Sequence, residues 1–319
     1  MTHKEAYITF CQSQPELPIF SQPWYLDAVC GADNWEVILV RRGSQIIASW
    51  PYYVKQKAIF TYITLPYLTK TMGPYLIPAF RHLKQEHKVF AELITQLPKV
   101  DFFNQDFHAS ITNWLPFKWA GFQQTTNYSY VIDQLQDLDQ VFAGFSTDYR
   151  NNKIKKAQQQ VKIVTDRSLQ ELYDVSKMSF DRQDLTYLLS FDFLQQLDEA
   201  LVKHQARKMF FAVDAAGRIH AVLYLIWDQH TSYYLIAGDD PALRHSGASI
   251  LLVWEAIQFS SRTLGLANFD FVGSMIPAIE RVRRQFGAQQ KAFFNLQKYY
   301  SPSFKFLESL KAFFSKSYY

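Results

Sequence analysis

Residues 285–296 read QFGAQQKAFFNL, and they echo residues 119–130, which read WAGFQQTTNYSY. Gly121 corresponds to Gly287, and a Gln-Gln pair stands two residues after each glycine. The intrinsic strand propensities of these residues do not explain why a Gly-x-Gln-Gln segment should start a strand at equivalent places in both halves. The echo therefore indicates that the chain contains two copies of one module.

The elements that precede the echo also occur twice. Residues 36–54 and 209–227 each predict a β-hairpin, because β-branched and aromatic arms flank a turn at Gly43 or Gly217. A third strand, a helix and a short strand follow in both halves, at residues 59–68, 83–97 and 100–104 and at residues 231–239, 248–265 and 267–272.

We therefore predict an α/β fold of two tandem modules, with mixed sheets and a cleft between the modules. An N-terminal module spans 1–140, a donor-binding C-terminal module spans 141–298, and an amphipathic tail spans 299–319. Apolar residues from Phe306 to Phe314 share one helical face of that tail. Three roles for this face stay open: packing on the second module, dimerisation and contact with a membrane surface.

Composition narrows the class of protein. Apolar residues make up 48% of the chain, enough for a large core, and the net charge of +4 does not by itself indicate a nucleic-acid partner. Cys11 and Cys30 form no CxxC or Cys/His pattern, so we expect no metal site. The first residues do not resemble a signal peptide, and no apolar run approaches about 20 residues, so we expect no stable membrane insertion. We expect a cytoplasmic protein and leave open peripheral contact at the inner face of the membrane.

A basic segment, STDYRNNKIKKAQQQVKIVTD, links the two copies at residues 146–166. Arg150, Lys153 and Lys156 share one helical face, whereas Ile154 and Ala157 lie on the other. The basic face is either a solvated surface or a contact for phosphates of a tRNA, a nucleotide sugar or an anionic lipid.

The helix of the second copy begins in the stretch RHSGASILLVWEAI, residues 244–257. Small residues at a helix start either satisfy its first N–H groups or leave them open to an anion. The matching stretch of the first copy, RHLKQEHK at 81–88, contains no glycine. We therefore expect only the second module to bind a donor phosphate, while the first module shapes the acceptor site.

The order of elements resembles the GNAT superfamily of acyltransferases, in which this helix presents its amino terminus to the pyrophosphate of acyl-CoA. The family turn is Gln/Arg-x-x-Gly-x-Gly/Ala. Arg244 and Gly247 occupy its first two defined positions, and Ser249 stands where glycine or alanine is usual. The resemblance implies a donor-binding set of Arg244, Ser246, Gly247, Ala248 and Ser249.

The tandem arrangement is similar to the Fem-type peptidoglycan aminoacyltransferases and their GNAT-like relatives. Three stretches carry this similarity: YRNNKIKKAQQQVKIV (149–164), FDFVGS (269–274) and IERVRRQFGA (279–288). It implies transfer of an acyl group from acyl-CoA or aminoacyl-tRNA, as co-substrate, to an amine of a small or lipid-linked acceptor such as a cell-envelope precursor. It also implies tRNA as a candidate partner and no permanently bound cofactor. A binding or scaffolding protein on a degenerate tandem fold is the alternative.

Three residues are candidates for the chemistry. Asp270 alternates with two phenylalanines at a strand end, where it either orients the acceptor amine or plays a structural role, capping the following helix or pairing with an arginine. Arg283 stands where the Fem-type pattern has a lysine implicated in handling the donor, and its planar fork suits a carboxylate or phosphate. Strand alternation places either Tyr233 or Tyr234 towards the cleft, and we select Tyr234 as a proton donor to the leaving group, with core packing as the alternative.

The expected acceptor cleft combines both modules. Tyr67 and Lys70 form a rim in the first module, and a polar turn at Asp181 resembles one that lines the cleft in the relatives. The full acceptor set is Tyr67, Lys70, Tyr149, Arg150, Asp181, Arg182 and Ser274.

Overall fold

The computed structural model describes residues 2–181 and 187–316. Contacts divide the chain into two compact units. Unit 1 combines Met1–Asn127 with Ala292–Tyr319, and unit 2 is Tyr128–Lys291. Each unit contains a mixed sheet with helices, which confirms the predicted α/β fold class.

Unit 1 is built on the first predicted hairpin. Its first two strands pair in antiparallel fashion around Gly43, the third continues the antiparallel sheet, and a later strand joins the third in parallel. The strands are β1 (Trp35–Arg42), β2 (Gln45–Lys57), β3 (Phe60–Thr64), β4 (Tyr75–Leu76) and β5 (Phe102–Asp106). The helices are α1 (His3–Gln12), α2 (Pro23–Cys30), α3 (Leu83–Thr95) and α4 (Leu115–Trp119).

Aromatic side chains form the core of unit 1. The indole of Trp50 lies within 5.8 Å, between ring centroids, of Phe103, Phe107 and Phe117. Phe117 belongs to α4 and also meets Phe90 of α3. Both helices therefore cover the face of β5 that carries Phe103, and Phe102 points to the opposite face because side chains alternate along a strand.

Unit 2 repeats the plan around the second predicted hairpin. Its strands are β7 (Lys162–Val164), β8 (Arg207–Val213), β9 (Ile219–Trp227), β10 (Thr231–Asp239) and β11 (Asn268–Asp270), numbered after β6 (Gln123–Ile132). Strands β7 to β10 are antiparallel, and β11 joins β10 in parallel. The helices are α5 (Leu138–Gly144), α6 (Ile154–Gln160), α7 (Leu169–Asp181), α8 (Phe191–Lys203), α9 (Ala248–Arg262) and α10 (Pro277–Gln285).

The two echoing segments form the strands that complete the units. The segment from the first half of the sequence pairs with a strand of unit 2, and the segment from the second half pairs with a strand of unit 1. In unit 2, β6 pairs with β11 through Ile132 and Val131. In unit 1, β12 (Gln289–Tyr299) pairs with β5. Gly121 and Gly287 precede these strands with φ of +85° and +69°. The boundaries at residues 140 and 298 describe the extent of the two copies and stay a prediction.

The basic linker folds as expected on its apolar side, since Ile154 and Ala157 are buried. It begins with one turn of π-helix, Tyr149–Lys153, which the sequence did not predict. After β12 the chain ends in α11 (Pro302–Lys316), and Phe304 packs its ring on Phe102. Within residues 2–181 and 187–316, no helix is both long and apolar enough to cross a membrane.

Candidate functional site

The strands β10 and β11 of unit 2 pair over only three residues. Thr231–Tyr233 of β10 lie beside Asn268–Asp270 of β11, and β10 then continues to Asp239 along β9 alone among the described strands. The register with β9 shifts between Tyr234 and Ile236. A bulge of this kind re-aims side chains, and ligands of open α/β sheets bind at the carboxyl ends of strands. The end of β11 is therefore the candidate site.

Arg283 on α10 lies at this strand end. Its guanidinium carbon is 4.4 Å from the ring centroid of Tyr234 and 5.0 Å from that of Phe271. Its Nε is buried and has no hydrogen-bond partner among the described residues. Arg281, by contrast, is exposed. A guanidinium held by cation–π contacts, with an N–H donor that lacks a partner among the described residues, suits a carboxylate or phosphate.

Tyr149 joins Arg283 and Tyr234 from the π-helical turn. Burial raises the pKa of its phenol to about 12, the Asp148 carboxylate adds to the rise, and the positive charge of Arg283 opposes it. The ring of Tyr149 packs on Phe286 at 4.9 Å between centroids. A phenol with this pKa keeps its proton at neutral pH and acts as a hydrogen-bond donor. The structure thus brings together three of the predicted site residues: Tyr149, Tyr234 and Arg283.

The two tyrosines that the sequence left as alternatives have different surroundings. Tyr233 is buried, and its hydroxyl donates to Asp228 Oδ2 at 2.8 Å. Burial raises the pKa of Tyr233 well above its usual value, and the Asp228 carboxylate adds to the rise. Tyr234 is only partly buried and faces Arg283. Tyr233 is thus a core residue, and Tyr234 is the member of the pair that lies at the candidate site.

Asp270 organises the turn that follows β11. Its Oδ1 accepts hydrogen bonds from the Ser129 hydroxyl and from the backbone N–H of Val272, the latter at 2.7 Å. Val272 and Gly273 both have left-handed backbone, with φ of +62° and +71°. A β-branched residue rarely adopts this conformation. Asp270 therefore caps this turn and not the helix α10, which begins only at Pro277. The orientation of an acceptor amine stays a prediction.

The turn before α9 is shaped by the basic linker. Gly247 has φ of +78°, and a Cβ there would lie 2.9 Å from the carbonyl oxygen of Lys153. Glycine is therefore required both by the backbone conformation and by the close approach of the linker. Ser249, the second residue of α9, is half-buried. Its small side chain leaves room at the helix start.

Other members of the predicted donor set have partners within unit 2. Arg244 Nε donates to Asp239 Oδ2 at 3.0 Å, and the buried Ser246 Oγ accepts from the Ala248 N–H at 3.3 Å. Lys156 Nζ donates to the carbonyl oxygen of His245 at 2.7 Å. Lys156 was absent from the predicted donor set, yet it places a positive charge directly at the turn. Whether the turn holds a phosphate stays a prediction.

The remaining acceptor residues of unit 2 are dispersed. Ser274 Oγ accepts from the Ile276 N–H at 3.1 Å and so shapes the approach to α10. Arg150 lies next to Tyr149, and its Nε is buried without a partner in the part of the chain that the structure describes. The Asp181 side chain and all of Arg182 lie outside the described residues.

Unit 2 also contains a cavity of about 310 Å³ beside α5 and Phe286. Two carboxylates line it, but each has a structural partner. Asp133 Oδ2 accepts from Lys291 Nζ at 2.9 Å, and Asp137 Oδ1 accepts from the backbone N–H of Gln140, near the start of α5. The other oxygen of Asp133, Oδ1, is buried and has no hydrogen-bond partner among the described residues.

In unit 1 the predicted residue Lys70 marks a polar cluster around Asp106. Lys70 Nζ lies 4.3 Å above the ring of Phe293, and its charge acts on the Asp106 carboxyl. Burial raises the pKa of Asp106, while the amides of Asn295, at 2.8 Å, and Asn127, at 3.3 Å, oppose the rise. Tyr67 is 42% exposed.

Sequence reasoning missed Asp106, Asn127 and Asn295. The available signal was the polar alternation in FFNQD, residues 102–106, where Asn104 and Asp106 share one face of β5. The two amides come from the echoing strands. Their convergence on one carboxylate depends on the exchange of those strands, which the sequence did not reveal.

Comparison with known proteins agrees with this architecture. Residues 147–292 match the family model described as an acetyltransferase (GNAT) domain. Among solved structures, FemX is similar over 91% of this chain and 95% of that chain, with 11% identity and a TM-score of 0.68. No curated protein matches the sequence significantly.

Two further structures share the fold. A tandem GNAT protein from the clavulanic acid biosynthesis pathway aligns with 12% identity over 85% of both chains, at a TM-score of 0.54. L-PGS from Bacillus licheniformis aligns with 11% identity over 85% of both chains, at a TM-score of 0.53. The chain therefore has a tandem GNAT fold, and its second half carries the matched GNAT domain. In fold it resembles FemX, as the Fem-type sequence motifs predicted.

Proposed function

We propose that this protein is a transferase that moves an acyl or aminoacyl group from acyl-CoA or aminoacyl-tRNA to an amine. The observation that carries the proposal is Arg283, whose guanidinium contacts the neighbouring rings of Tyr234 and Phe271 at the end of β11 and whose Nε has no hydrogen-bond partner among the described residues. The chain shares its fold with FemX and with a tandem GNAT protein whose structure is described as being without AcCoA, and this fold supports the proposed class of reaction.

The reaction needs little covalent chemistry from the protein. The amine lone pair attacks the carbonyl carbon of the donor and a C–N bond forms. The bond from that carbon to the thiol sulfur or ribose oxygen breaks, and the proton that the amine loses ends on the leaving sulfur or oxygen. Negative charge develops on the carbonyl oxygen during attack. Preorganised donors aimed at that oxygen are the largest single contribution in many acyl transfers.

Arg283 and Tyr149 suit this task because both side chains are hydrogen-bond donors at neutral pH. Arg283 keeps its charge throughout the physiological range. The pKa of Tyr149, raised to about 12, keeps its phenol protonated. We assign Arg283 to an anionic group of the donor or to the developing oxyanion, and Tyr149 to a supporting hydrogen bond. Tyr234 positions the guanidinium through its ring.

For the donor phosphates we propose the turn at residues 244–249, with Lys156 as an additional positive charge. Lys156 already contacts the turn through the His245 carbonyl. An anion at the start of a helix is stabilised by open N–H groups and by the helix dipole. The acceptor is proposed to be an amine on a small or lipid-linked cell-envelope precursor. This part rests on the Fem-type motifs.

The first experiment compares two donors on the full chain. Thermal unfolding is followed with acetyl-CoA and, separately, with aminoacylated tRNA. At 100 times its dissociation constant, a bound donor raises the free energy of unfolding by about 2.7 kcal/mol. The donor that binds is then supplied with a labelled acyl group and a panel of amines. With the best amine, Arg283→Ala is expected to lower kcat/KM about a hundredfold.

Arg281→Ala is the matched control, because Arg281 lies on the same helix but is exposed. It is expected to leave kcat/KM within about twofold of the parent value, as for most exposed side chains. Binding of a donor with no transfer to any amine would favour the non-catalytic scaffold. A lack of binding by both donors would overturn the proposal.

A further inference from the structure

The C-terminal helix of unit 1 has two unlike sides. Phe304 seats the start of α11 on the sheet, with its ring centroid 5.1 Å from that of Phe60 and 5.4 Å from that of Phe102. On the outer side, Phe306 is 63% exposed and Leu310 is 38% exposed. An aromatic and an aliphatic side chain at i and i+4 form one apolar edge. This edge contacts water even though the helix is docked.

The tip of the neighbouring hairpin extends this apolar edge. Ile59 lies in the turn between β2 and β3 and is 84% exposed. It directly precedes Phe60, which packs on Phe304. The helix edge and the hairpin tip therefore belong to one region of unit 1. We call the group Ile59, Phe306, Leu307 and Leu310 the apolar edge.

Lysines surround the apolar edge. Lys57 pairs with Phe60 across the hairpin and Lys55 pairs with Tyr62, so both lysines point to the sheet face on which α11 lies. Lys55, Lys57 and Lys305 are exposed. Glu308 is half-buried, and the backbone N–H of Thr61 donates to Asp101 Oδ2 at 2.8 Å. The three exposed lysines outnumber these two partly buried carboxylates, so the net charge of this surface is positive.

We propose that the apolar edge and its lysines dock unit 1 on an anionic phospholipid surface. An amphipathic helix with aromatic and aliphatic residues on one side and lysines beside them binds in the headgroup region. Lysines near an anionic leaflet add binding energy that salt screens.

A second copy of the chain fits this surface poorly. In a twofold dimer each subunit presents the same patch, so the lysines of one subunit would face a patch of the same positive charge. Like charges across an interface are unfavourable. An anionic lipid surface instead offers the complementary charge together with an apolar layer beneath it. The lysines would then contact lipid phosphates, and the apolar edge would enter the apolar layer.

The test is flotation of the full chain with vesicles. We expect binding to an equal mixture of phosphatidylcholine and phosphatidylglycerol, weak binding to phosphatidylcholine alone, and release at high salt. Phe306→Ser combined with Leu310→Ser should abolish flotation. Lys55→Gln combined with Lys57→Gln should weaken binding about thirtyfold, given the usual contribution of two lysines at an anionic membrane.

The control variants lie on α3, which covers the opposite face of the unit 1 sheet. Leu83 is 64% exposed, and Lys84 and Lys88 are exposed as well. Leu83→Ser, and Lys84→Gln combined with Lys88→Gln, should leave flotation unchanged. Equal losses in the α3 variants, equal binding to neutral vesicles, or no binding at all would overturn the proposal. So would a change from dimer to monomer in Phe306→Ser, measured by light scattering. Donor binding by unit 2 is a separate readout and does not depend on these variants.

Discussion

Corresponding strands of the two units end in aspartates with opposite surroundings. β5 in unit 1 and β11 in unit 2 each lie parallel to the third strand of their unit. Asp270 accepts from a hydroxyl and a backbone N–H and fixes a left-handed turn. Asp106 meets two side-chain amides, and burial raises its pKa. Duplication of the fold has therefore kept the position of the carboxylate but not its task.

The helices that follow the third strands differ in the same way. α3 begins after His82, whose backbone is extended with φ of −111°. α9 begins after Gly247, whose left-handed backbone admits the carbonyl of Lys153. The linker that shapes this second turn comes before the hairpin of unit 2. The different starts of α3 and α9 are the physical reason why we propose donor binding by unit 2.

The glycines that precede β6 and β12, Gly121 and Gly287, are equivalent in sequence but differ most in their surroundings. Both have left-handed backbone, but a Cβ on Gly287 would lie 2.7 Å from the carbonyl oxygen of Gly144, whereas a Cβ on Gly121 would meet only Lys298 Cε at 3.8 Å. Gly287→Ala is expected to lower the free energy of unfolding by about 3 kcal/mol, through strain and overpacking together. Gly121→Ala should cost about 1 kcal/mol, from backbone strain alone.

Urea unfolding of both variants measures the difference. If the two substitutions lower the free energy of unfolding by the same amount, the close contact with Gly144 does not contribute. The two glycines would then be equivalent in their effect on stability as well as in sequence.

Asp270→Ala tests the structural role of the second aspartate. The substitution leaves the Ser129 hydroxyl and the Val272 N–H without this acceptor, and Val272 is already in an unfavourable conformation. We expect a loss of about 2 kcal/mol in the free energy of unfolding. Ser129→Ala removes only one of the two bonds and should cost about 1 kcal/mol. If Asp270→Ala leaves the free energy of unfolding unchanged, the structural role is wrong, and orientation of the acceptor amine becomes the favoured role for Asp270.

Most of the framework was predictable because it follows from local pattern. The hairpins around Gly43 and Gly217, the later helices and the strands after Gly121 and Gly287 were all located to within a few residues. The buried side of the linker was also predicted, since Ile154 and Ala157 follow helical spacing.

Long-range contacts were beyond the sequence. The π-helical turn at Tyr149 inserts one residue into a helical pattern, and no periodicity reveals it. The pairing of β6 with β11 and of β12 with β5 joins distant segments. Asp106 acquires its environment only through that pairing, so it was missed. Arg283 was found through a family position, whereas its contacts with Tyr234 and Phe271 could only be seen in three dimensions.

Asp106→Asn is the smallest and most diagnostic change. Burial raises the pKa of Asp106 above its usual value near 3.8, so the folded state disfavours the carboxylate form. The resulting cost is absent in acid, where the group is protonated in both states, and is fully present above the raised pKa. Asparagine keeps an oxygen that accepts from the amides of Asn127 and Asn295 but carries no charge. We therefore expect a small gain in the free energy of unfolding at pH 7 that fades as the pH falls towards 3.8. A loss at pH 7 would mean that the attraction of Lys70 outweighs the burial, and the two aspartates would then both be stabilising anions.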